Sequence, residues 1–593
     1  MLHLLLLLII VGLLVLLFRQ AMPRLPERGA LIIRPSGELT EQLSGEPVTR
    51  ALNEAQGQGA PQTLLWDLTR AIRAAAHDQR IQALLIETDD LSGAGQAKLE
   101  ELAAAIAEFR RAGKKVVAHG SYFLQNQYYL AAQADEVYLD PFGFVLLDGY
   151  ARYRMFFKDA LDKLAIDVHL IRAGKFKSAD EPFVRRDMSA EDKQESNVYL
   201  QALWQGYRSS VAKSRHLDAE ALNTYANEYA AAVTRAGGDT AQVALQAHLV
   251  TALHTGAQVE QRMIELVGSD TSRHGFRTVT LDDYLKVVGA GTRPAHHKDG
   301  AIGVVIASGE ILDGDQPPGT VGGESTAALL RRARDDDDVK AVVLRIDSPG
   351  GSVLAAEQIY REVLALRKAG KPVVASMGDL AASGGYYIAA PADEILASAN
   401  TITGSIGVFA TIPTFDRTLA RIGVQVDGVG TTALSGVLRV DRPLQPQAEA
   451  ILQASVNHSY AQFLEHVAAG RHKRSADIDA IAQGRVWAGS DALRIGLIDR
   501  TGTFHDALQA AAGRAHIGND FEVRLVEPEL SLAQRLLLNV RGYAVRLLRA
   551  SGLGSLPGAQ LSATLKPLQS ELARWQRFSV ARGTYAYCFC SVN

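Results

Sequence analysis

Two matching stretches decide the fold: VKAVVL at residues 339–344 and IQALLI at residues 81–86, about 258 positions earlier. A duplicated unit should leave several such pairs at a near-constant spacing. The pair ADEV at residues 134–137 and ADEI at residues 392–395 keeps the same spacing. The chain is therefore predicted to contain two copies of one fold.

Each copy alternates apolar strands with amphipathic helices. This alternation is typical of an α/β domain, in which helices pack against a mostly parallel sheet. The predicted fold class is therefore α/β, as a tandem duplication. The predicted elements are strands at 81–86 and 115–119 with a helix at 96–112, and strands at 339–346 and 372–376 with a helix at 354–369.

Length and composition agree with more than one folded domain. The 593 residues exceed what one hydrophobic core usually organises, and 47% hydrophobic and 21% charged residues are ordinary for a globular protein. An alanine-rich, helical segment broken at Gly237-Gly238 separates the copies. The predicted divisions are an anchor at 1–20, a first copy at 26–196, a helical linker at 197–296, a second copy at 297–515 and a tail at 516–593.

Charge and cysteine content exclude some classes of function. A net charge of -3 gives no reason to expect a nucleic acid partner. The two cysteines, Cys588 and Cys590, are too few for a disulfide framework or a four-ligand metal site. With one residue between them, they are not expected to form a strain-free disulfide with each other. No metal and no cofactor are predicted.

The N-terminus predicts a membrane helix. Leu4 to Phe18 is an apolar run with no charge before Arg19, and about 17 to 25 residues span a membrane. A cleaved signal peptide is the alternative, although the basic segment and small-residue cleavage site that it needs are absent from this stretch. Arg19, Arg24 and Arg28 follow the run, and the positive-inside rule would then keep the large domain in the cytoplasm.

Only the second copy carries a serine in a glycine-rich turn. Residues 381–387 read AASGGYY, whereas the corresponding residues 125–129 read QNQYY, with an amide side chain in the place of the serine. Ser383 is therefore predicted to be a nucleophile, and it needs a base within hydrogen-bond reach. The histidines of the chain lack a triad-like setting, and Ala381 breaks the Gly-x-Ser-x-Gly pattern, so a lysine base is the alternative.

A second glycine motif, DSPGGS at residues 347–352, directly follows a predicted strand. Backbone N–H groups at such a strand-to-helix junction lack partners, and glycine lets an acyl oxygen approach them. Gly350 and Gly384 are therefore predicted to donate to an oxyanion. The first copy has DDLSG at residues 89–93, which adds a carboxylate that would repel an oxyanion.

Four motifs together resemble one family, the long, duplicated bacterial form of signal peptide peptidase (SppA, protease IV). The resemblance implies a membrane-anchored serine protease built from two ClpP/crotonase-like domains. It implies Lys177 as the general base and Ser383 as the nucleophile, with Ser405 as the hydroxyl that orients the lysine. The motifs are GKFKSADEPF at 174–183, DSPGG at 347–351, AASGGYY at 381–387 and TGSIG at 403–407.

Lys177 must lose its charge to act as a base. Its pKa would have to fall from about 10.4 to roughly 7 to 8, which burial can achieve. We therefore expect an apolar pocket with no carboxylate near the amine, and Asp180 and Glu181 pointing away from it. In the second copy, GTTA at residues 430–433 puts alanine in the place of Lys177.

The resemblance implies an endopeptidase that needs no cofactor and degrades signal peptide remnants and other hydrophobic peptides. It further implies a homotetramer in the bacterial inner membrane, in which each chain crosses the membrane once. The catalytic domains would then lie on the periplasmic side, whereas the flanking arginines predict the cytoplasmic side. Two other classes stay open: a crotonase-like acyl-CoA enzyme, which would not need Ser383, and a non-catalytic membrane scaffold, which would not need Lys177. The Leu- and Arg-rich stretch 530–548 fits a membrane surface or an oligomer helix.

Overall fold

A computed structural model describes residues 23, 25–55, 59–272, 274–291, 300–518, 521–529 and 584–590. The predicted anchor at 1–20 and the stretch 530–548 lie outside these residues. Within the described part of the chain, no helix is both long and apolar enough to cross a membrane.

The chain forms two compact units. The first comprises the described residues of 1–40, 61–149 and 207–296, and the second comprises those of 41–60, 150–206 and 297–593. Residues 150–206 therefore pack with sequence from the other end of the chain. This grouping puts Lys177 and Ser383 in the same unit.

The first unit is built on a parallel sheet of six strands. Their order across the sheet is Ala252–Leu253, Glu136–Leu139, Lys115–Gly120, Ile81–Glu87, Gly29–Ile33 and Thr278–Thr280. The helix Gln96–Arg111 buries apolar side chains at helical spacing, including Leu99, Leu102 and Ile106. This buried face explains why the predicted alternation of strand and helix forms one hydrophobic core.

The second unit repeats this order and adds a second sheet. The repeated part of its eight-stranded main sheet runs Arg500–Thr501, Glu394–Ala397, Val373–Ala382, Val339–Ser348, Ala301–Ser308 and Glu522–Leu525, all parallel. Two further strands extend this sheet: Ile402–Gly404 pairs in parallel with Val373–Ala382, and Val486–Ala488 pairs antiparallel with Ile402–Gly404. Its second sheet runs Asp167–Ala173, Val408–Thr414, Tyr585–Tyr587, Gly350–Ser352, Ile311–Leu312 and Val321–Gly322. The strands Glu522–Leu525 and Tyr585–Tyr587 fall in the predicted tail and were not expected from the sequence.

The remaining elements complete the two units. The other strands are Gly37–Thr40, Gln62–Leu64, Leu91–Gly93, Phe123–Leu124, Val145–Leu146, Ser269–Asp270 and Gly275–Phe276. The other helices are Pro47–Ala55, Leu65–His77, Gln125–Ala131, Lys158–Lys163, Glu181–Val184, Ala190–Arg215, Ala219–Arg235, Thr240–Gln246, Gly256–Val267, Leu281–Gly291, Gly323–Asp335, Val353–Lys368, Gly384–Ala389, Asp416–Arg421, Pro446–Arg471, Ser475–Ile481, Gly489–Ile495 and Phe504–Arg514.

The four strands and two helices predicted for the two copies are all present, and equivalent hydrogen bonds recur within each unit. Asp135 accepts hydrogen bonds from Arg110, in the helix Gln96–Arg111, and from the Val116 N–H. Asp393 makes the same two bonds, to an arginine and to the Val373 N–H. The strand predicted at 372–376 extends as far as Ala382, where the candidate site begins.

Cys588 and Cys590 form a disulfide, which the sequence analysis gave no reason to expect. Their Cα atoms lie 5.3 Å apart, inside the range of about 4.4 to 6.8 Å that a disulfide needs. In a fully extended chain, residues two apart are separated by about 6.6 Å. The chain leaves strand geometry after Tyr587, and this change shortens the separation.

Candidate active site

Ser383 lies in a strained turn between the strand Val373–Ala382 and the helix Gly384–Ala389. Its backbone has φ 57° and ψ -114°, a combination that residues other than glycine rarely adopt. Two hydrogen bonds hold the turn: the Ser383 N–H donates to the Gly404 carbonyl at 2.8 Å, and the Tyr387 N–H donates to the Ser383 carbonyl at 2.9 Å. The side chain is fully buried.

Lys177 meets Ser383 although the two are 206 positions apart in the sequence. The Lys177 Nζ lies 2.7 Å from the Ser383 Oγ and 3.1 Å from the Ser405 Oγ, and it donates to the Ser405 carbonyl at 3.0 Å. The structure therefore brings together the predicted nucleophile, the predicted base and the predicted orienting hydroxyl.

The loop that carries Lys177 is fixed by its neighbours. It follows the strand Asp167–Ala173, and the Phe176 N–H donates to the Gln483 carbonyl at 2.7 Å. A β carbon on Gly484 would lie 2.6 Å from the Lys177 backbone nitrogen. Only glycine permits this close approach, so the loop at Gln483-Gly484 sets the position of the lysine.

Burial lowers the pKa of Lys177 to about 7, and the carboxylates of Glu195 and Asp180 oppose this shift. The prediction of a pocket without a nearby carboxylate is therefore wrong. Burial also raises the pKa of Asp180 to about 7 and that of Glu195 to about 8, so near neutral pH Asp180 is about half protonated, Glu195 is mostly protonated, and neither holds a full negative charge. Glu181 does point away, because its carboxylate accepts from the Ser189 N–H at 3.0 Å.

The two predicted oxyanion glycines lie against each other. Gly350 has φ 96°, and a β carbon on Gly384 would be 3.0 Å from the Gly350 Cα. The Gly384 N–H is the first of its helix, a position without an intrahelical acceptor. The Gly350 N–H donates to the Ser348 hydroxyl at 3.2 Å.

The sequence reasoning missed a buried polar cluster behind the lysine. The helix Ala190–Arg215 presents Asp192, Glu195 and Ser196 on one face, since residues three and four apart are neighbours on a helix. Asp192 accepts from Arg152 at 2.6 Å and from the Ser178 hydroxyl at 2.7 Å. The spacing of Asp192, Glu195 and Ser196 in the sequence is the signal that could have revealed the cluster.

Comparison with known proteins shows the family to which this chain belongs. Residues 108–269 and 365–518 match the family model of Peptidase family S49. Protease 4 of Salmonella typhi is 37% identical over 95% of this chain and 91% of its own length, and Protease 4 of Haemophilus influenzae is 37% identical over the same shares. A solved structure of a ClpP1 mutant from Listeria monocytogenes, at 12% identity and a TM-score of 0.23, covers 35% of this chain and 94% of its own. The chain belongs to Peptidase family S49 and is a serine peptidase.

Proposed function

We propose that the protein is an endopeptidase in which Ser383 and Lys177 form a catalytic dyad. The observation that carries this proposal is the 2.7 Å separation of the Lys177 Nζ and the Ser383 Oγ, combined with a pKa of about 7 for the lysine. A neutral amine at this distance can take the hydroxyl proton as the oxygen attacks a peptide carbonyl. The reaction needs no cofactor.

Charge that develops on the carbonyl oxygen needs preorganised donors. We assign this role to the N–H groups of Gly384 and Gly350, which face one small space. The Gly350 N–H would have to exchange its 3.2 Å bond to Ser348 for the stronger bond to an oxyanion. Lys177 would then protonate the leaving amine and activate the water that hydrolyses the acyl-enzyme.

Ser405 orients the lysine in this proposal. Its carbonyl and hydroxyl oxygens both lie within hydrogen-bond distance of the Lys177 Nζ, at 3.0 and 3.1 Å. When the two N–H groups of the neutral amine donate to these two oxygens, its single lone pair is directed at the Ser383 hydroxyl. Ser405 itself has φ 52°, so its unusual backbone conformation forms part of the site.

The substrate and setting are proposed from the four motifs that resemble signal peptide peptidases. They favour hydrophobic peptides such as signal peptide remnants, and a homotetramer in the bacterial inner membrane. A single anchor at residues 1–20 and catalytic domains on the periplasmic side belong to the same proposal. So does the origin by duplication of a ClpP/crotonase-like domain, which the shared strand order of the two main sheets supports.

The test is hydrolysis of a fluorogenic peptide ester with an apolar residue before the ester bond. We would compare the full chain in detergent with Ser383→Ala and Lys177→Ala. Activity in the parent and its loss in both variants is the expected result. Activity that survives either change would rule out the dyad. A parent that hydrolyses only an acyl-CoA thioester would favour the crotonase-like alternative, and an inert parent would favour the scaffold.

A further inference from the structure

The segment Thr584–Cys590 lies as an extra strand beside the candidate site. It pairs antiparallel with Gly350–Ser352, with Ala586 opposite Gly351. The Cys588 N–H donates to the Pro349 carbonyl at 2.8 Å. On its other edge, Tyr585 pairs with Phe409. Main-chain pairing on both edges of an extended segment is how sheets bind peptides by strand addition.

The register puts one carbonyl of this segment at the proposed oxyanion site. Ala586 is fully buried. A β carbon on Gly350 would collide with the Ala586 carbonyl oxygen, and one on Gly384 would lie 3.0 Å from it. The Ala586 carbonyl therefore occupies the space where a substrate carbonyl would have to sit.

Beyond Ala586 the segment has an anchor that holds its main chain. The carbonyl of Phe589 accepts from the Arg152 guanidinium, at 2.9 Å from Nη2 and 3.3 Å from Nε. Arg152 is fixed in turn by Asp192 and by the Ser196 hydroxyl at 2.9 Å. A guanidinium preorganised in this way recognises a backbone carbonyl whatever the side chain.

The cysteine pair supplies an apolar contact at the same end of the segment. Cys588 and Cys590 are buried in one cluster with Tyr199, Val486 and Ala488. The strand therefore binds through backbone hydrogen bonds beside Gly384, through Arg152 and through an apolar pocket. A peptide substrate could use the same three features.

We propose that residues 584–590 are a built-in pseudosubstrate that occupies the substrate groove, and that Arg152 anchors peptides three residues after the reacting carbonyl. This inference rests on the proposed function. It defines the substrate class as extended peptides that run antiparallel to Gly350–Ser352, with a small residue at the reacting carbonyl. A substrate has to displace the segment before it can react, which raises the apparent KM.

The first test measures binding without catalysis. The probe is the synthetic peptide TYAYCFC in its disulfide form, labelled with a fluorophore at its N-terminus, and the protein is the full chain carrying Ser383→Ala. Adding Ala586→Arg, whose side chain does not fit the buried position, should unseat the segment and tighten peptide binding at least tenfold. Val429→Arg, at an exposed position of the same unit, is the control and should change nothing. Equal affinity with and without Ala586→Arg would overturn the proposal.

The second test isolates Arg152. In the Ser383→Ala, Ala586→Arg background, Arg152→Lys keeps the charge but loses the planar fork. It should weaken the seven-residue peptide about tenfold and leave the five-residue peptide TYAYC unchanged, because that peptide lacks the Phe589 carbonyl. Unchanged binding of the short peptide also shows that the variant is folded. Equal weakening of both peptides, or of neither, would contradict the anchor.

The third test connects binding to catalysis. With Ser383 intact, Ala586→Arg should lower the KM for the peptide ester several-fold and leave kcat unchanged. An unchanged KM in an active enzyme would count against the pseudosubstrate. If the parent enzyme itself were inactive, the proposed function would fail, and the binding measurements would still decide the inference about the segment.

Discussion

The turns at Gln125 and Ser383 occupy equivalent places in the two units, yet only one is equipped for chemistry. The tyrosine three residues after each, Tyr128 or Tyr386, donates to a leucine carbonyl, at 2.7 and 2.6 Å respectively. Gln125, however, exchanges two hydrogen bonds with the Gly149 backbone, at 2.7 and 3.0 Å. Its polar atoms are satisfied within the fold, whereas the Ser383 hydroxyl faces a lysine.

The residue two positions after Gln125 or Ser383 also differs between the two units: it is Gln127 in the first and Gly385 in the second. In the first unit, the Gln127 amide donates to the Leu91 carbonyl at 3.1 Å and closes the space beside the turn. In the second unit Gly385 has no side chain, and a β carbon there would lie 2.5 Å from the Ser348 carbonyl oxygen. The same fold is therefore stable with two different turns. It can close its turn with amides, or it can keep glycines and a strained serine for catalysis.

The most direct test of this difference is to exchange Gln125 and Ser383 between the two turns. Ser383→Gln gives the second turn the residue of the first and should reduce kcat/KM for the peptide ester by about 10⁴-fold or more, because no nucleophile remains. The reciprocal change, Gln125→Ser, should leave the rate within about twofold of the parent, since the side-chain hydrogen bonds described for Gln125 join it to the Gly149 backbone and not to a lysine base. A comparable loss in both variants would mean that the first turn also contributes to catalysis.

The next largest effect is expected at the base. Lys177→Arg keeps the positive charge and the reach, but a guanidinium stays protonated at all accessible pH values. We expect kcat to fall about 10³-fold. Lys175→Arg is the matched control, because Lys175 is exposed and pairs with Glu191 at 3.3 Å. A Lys177→Arg enzyme with near-normal kcat would exclude proton transfer to Lys177.

The pH dependence of kcat/KM tests the roles of the buried groups Lys177 and Glu195. Only neutral Lys177 can act as the base, so kcat/KM should fall about tenfold per pH unit below a pKa of about 7. The ionised fraction of Glu195 stabilises the protonated lysine, and that fraction is small below a Glu195 pKa of about 8, so Glu195→Gln should move the acidic limb of the profile only slightly to lower pH. Glu191→Gln, at a half-exposed position that pairs with Lys175 and not with Lys177, should leave the limb in place. A shift to higher pH in Glu195→Gln would contradict the account.

The smallest effect is expected at the orienting hydroxyl. Ser405→Ala removes one of two contacts to the lysine amine and leaves the Ser405 carbonyl in place. Losing one such hydrogen bond should lower kcat about 3- to 10-fold with little change in KM. Ser490→Ala, an exposed serine of the same unit, is the control. A raised KM with normal kcat would mean that Ser405 contacts substrate instead.

Much of this arrangement could be predicted from the sequence because it depends on local patterns. The repeated landmarks predict two copies of one α/β fold, and the absence of glycines from residues 125–129 predicts which turn lacks catalytic function. The pairing of Lys177 with Ser383 could not be derived from spacing, because it depends on a fold that joins residues 206 positions apart. It came instead from the motifs that resemble signal peptide peptidases.

The features that the sequence missed are those that only packing reveals. Glu195 looked like an ordinary helix residue, and its importance depends on burial beside Lys177. The strand Tyr585–Tyr587 is too short to give a periodic signal, and it exists because Gly350–Ser352 and Phe409 offer it backbone partners. The domain boundaries predicted from the repeat stay a prediction.

The central claim is that Lys177 activates Ser383, and covalent labelling tests it most directly. The full chain would be treated with a serine-reactive fluorophosphonate, and the modified residue identified by mass spectrometry. We expect modification of Ser383 alone, with a labelling rate that rises with pH through about 7 and falls at least about 100-fold in Lys177→Met. Modification of a different serine, or an unchanged labelling rate in Lys177→Met, would contradict the claim.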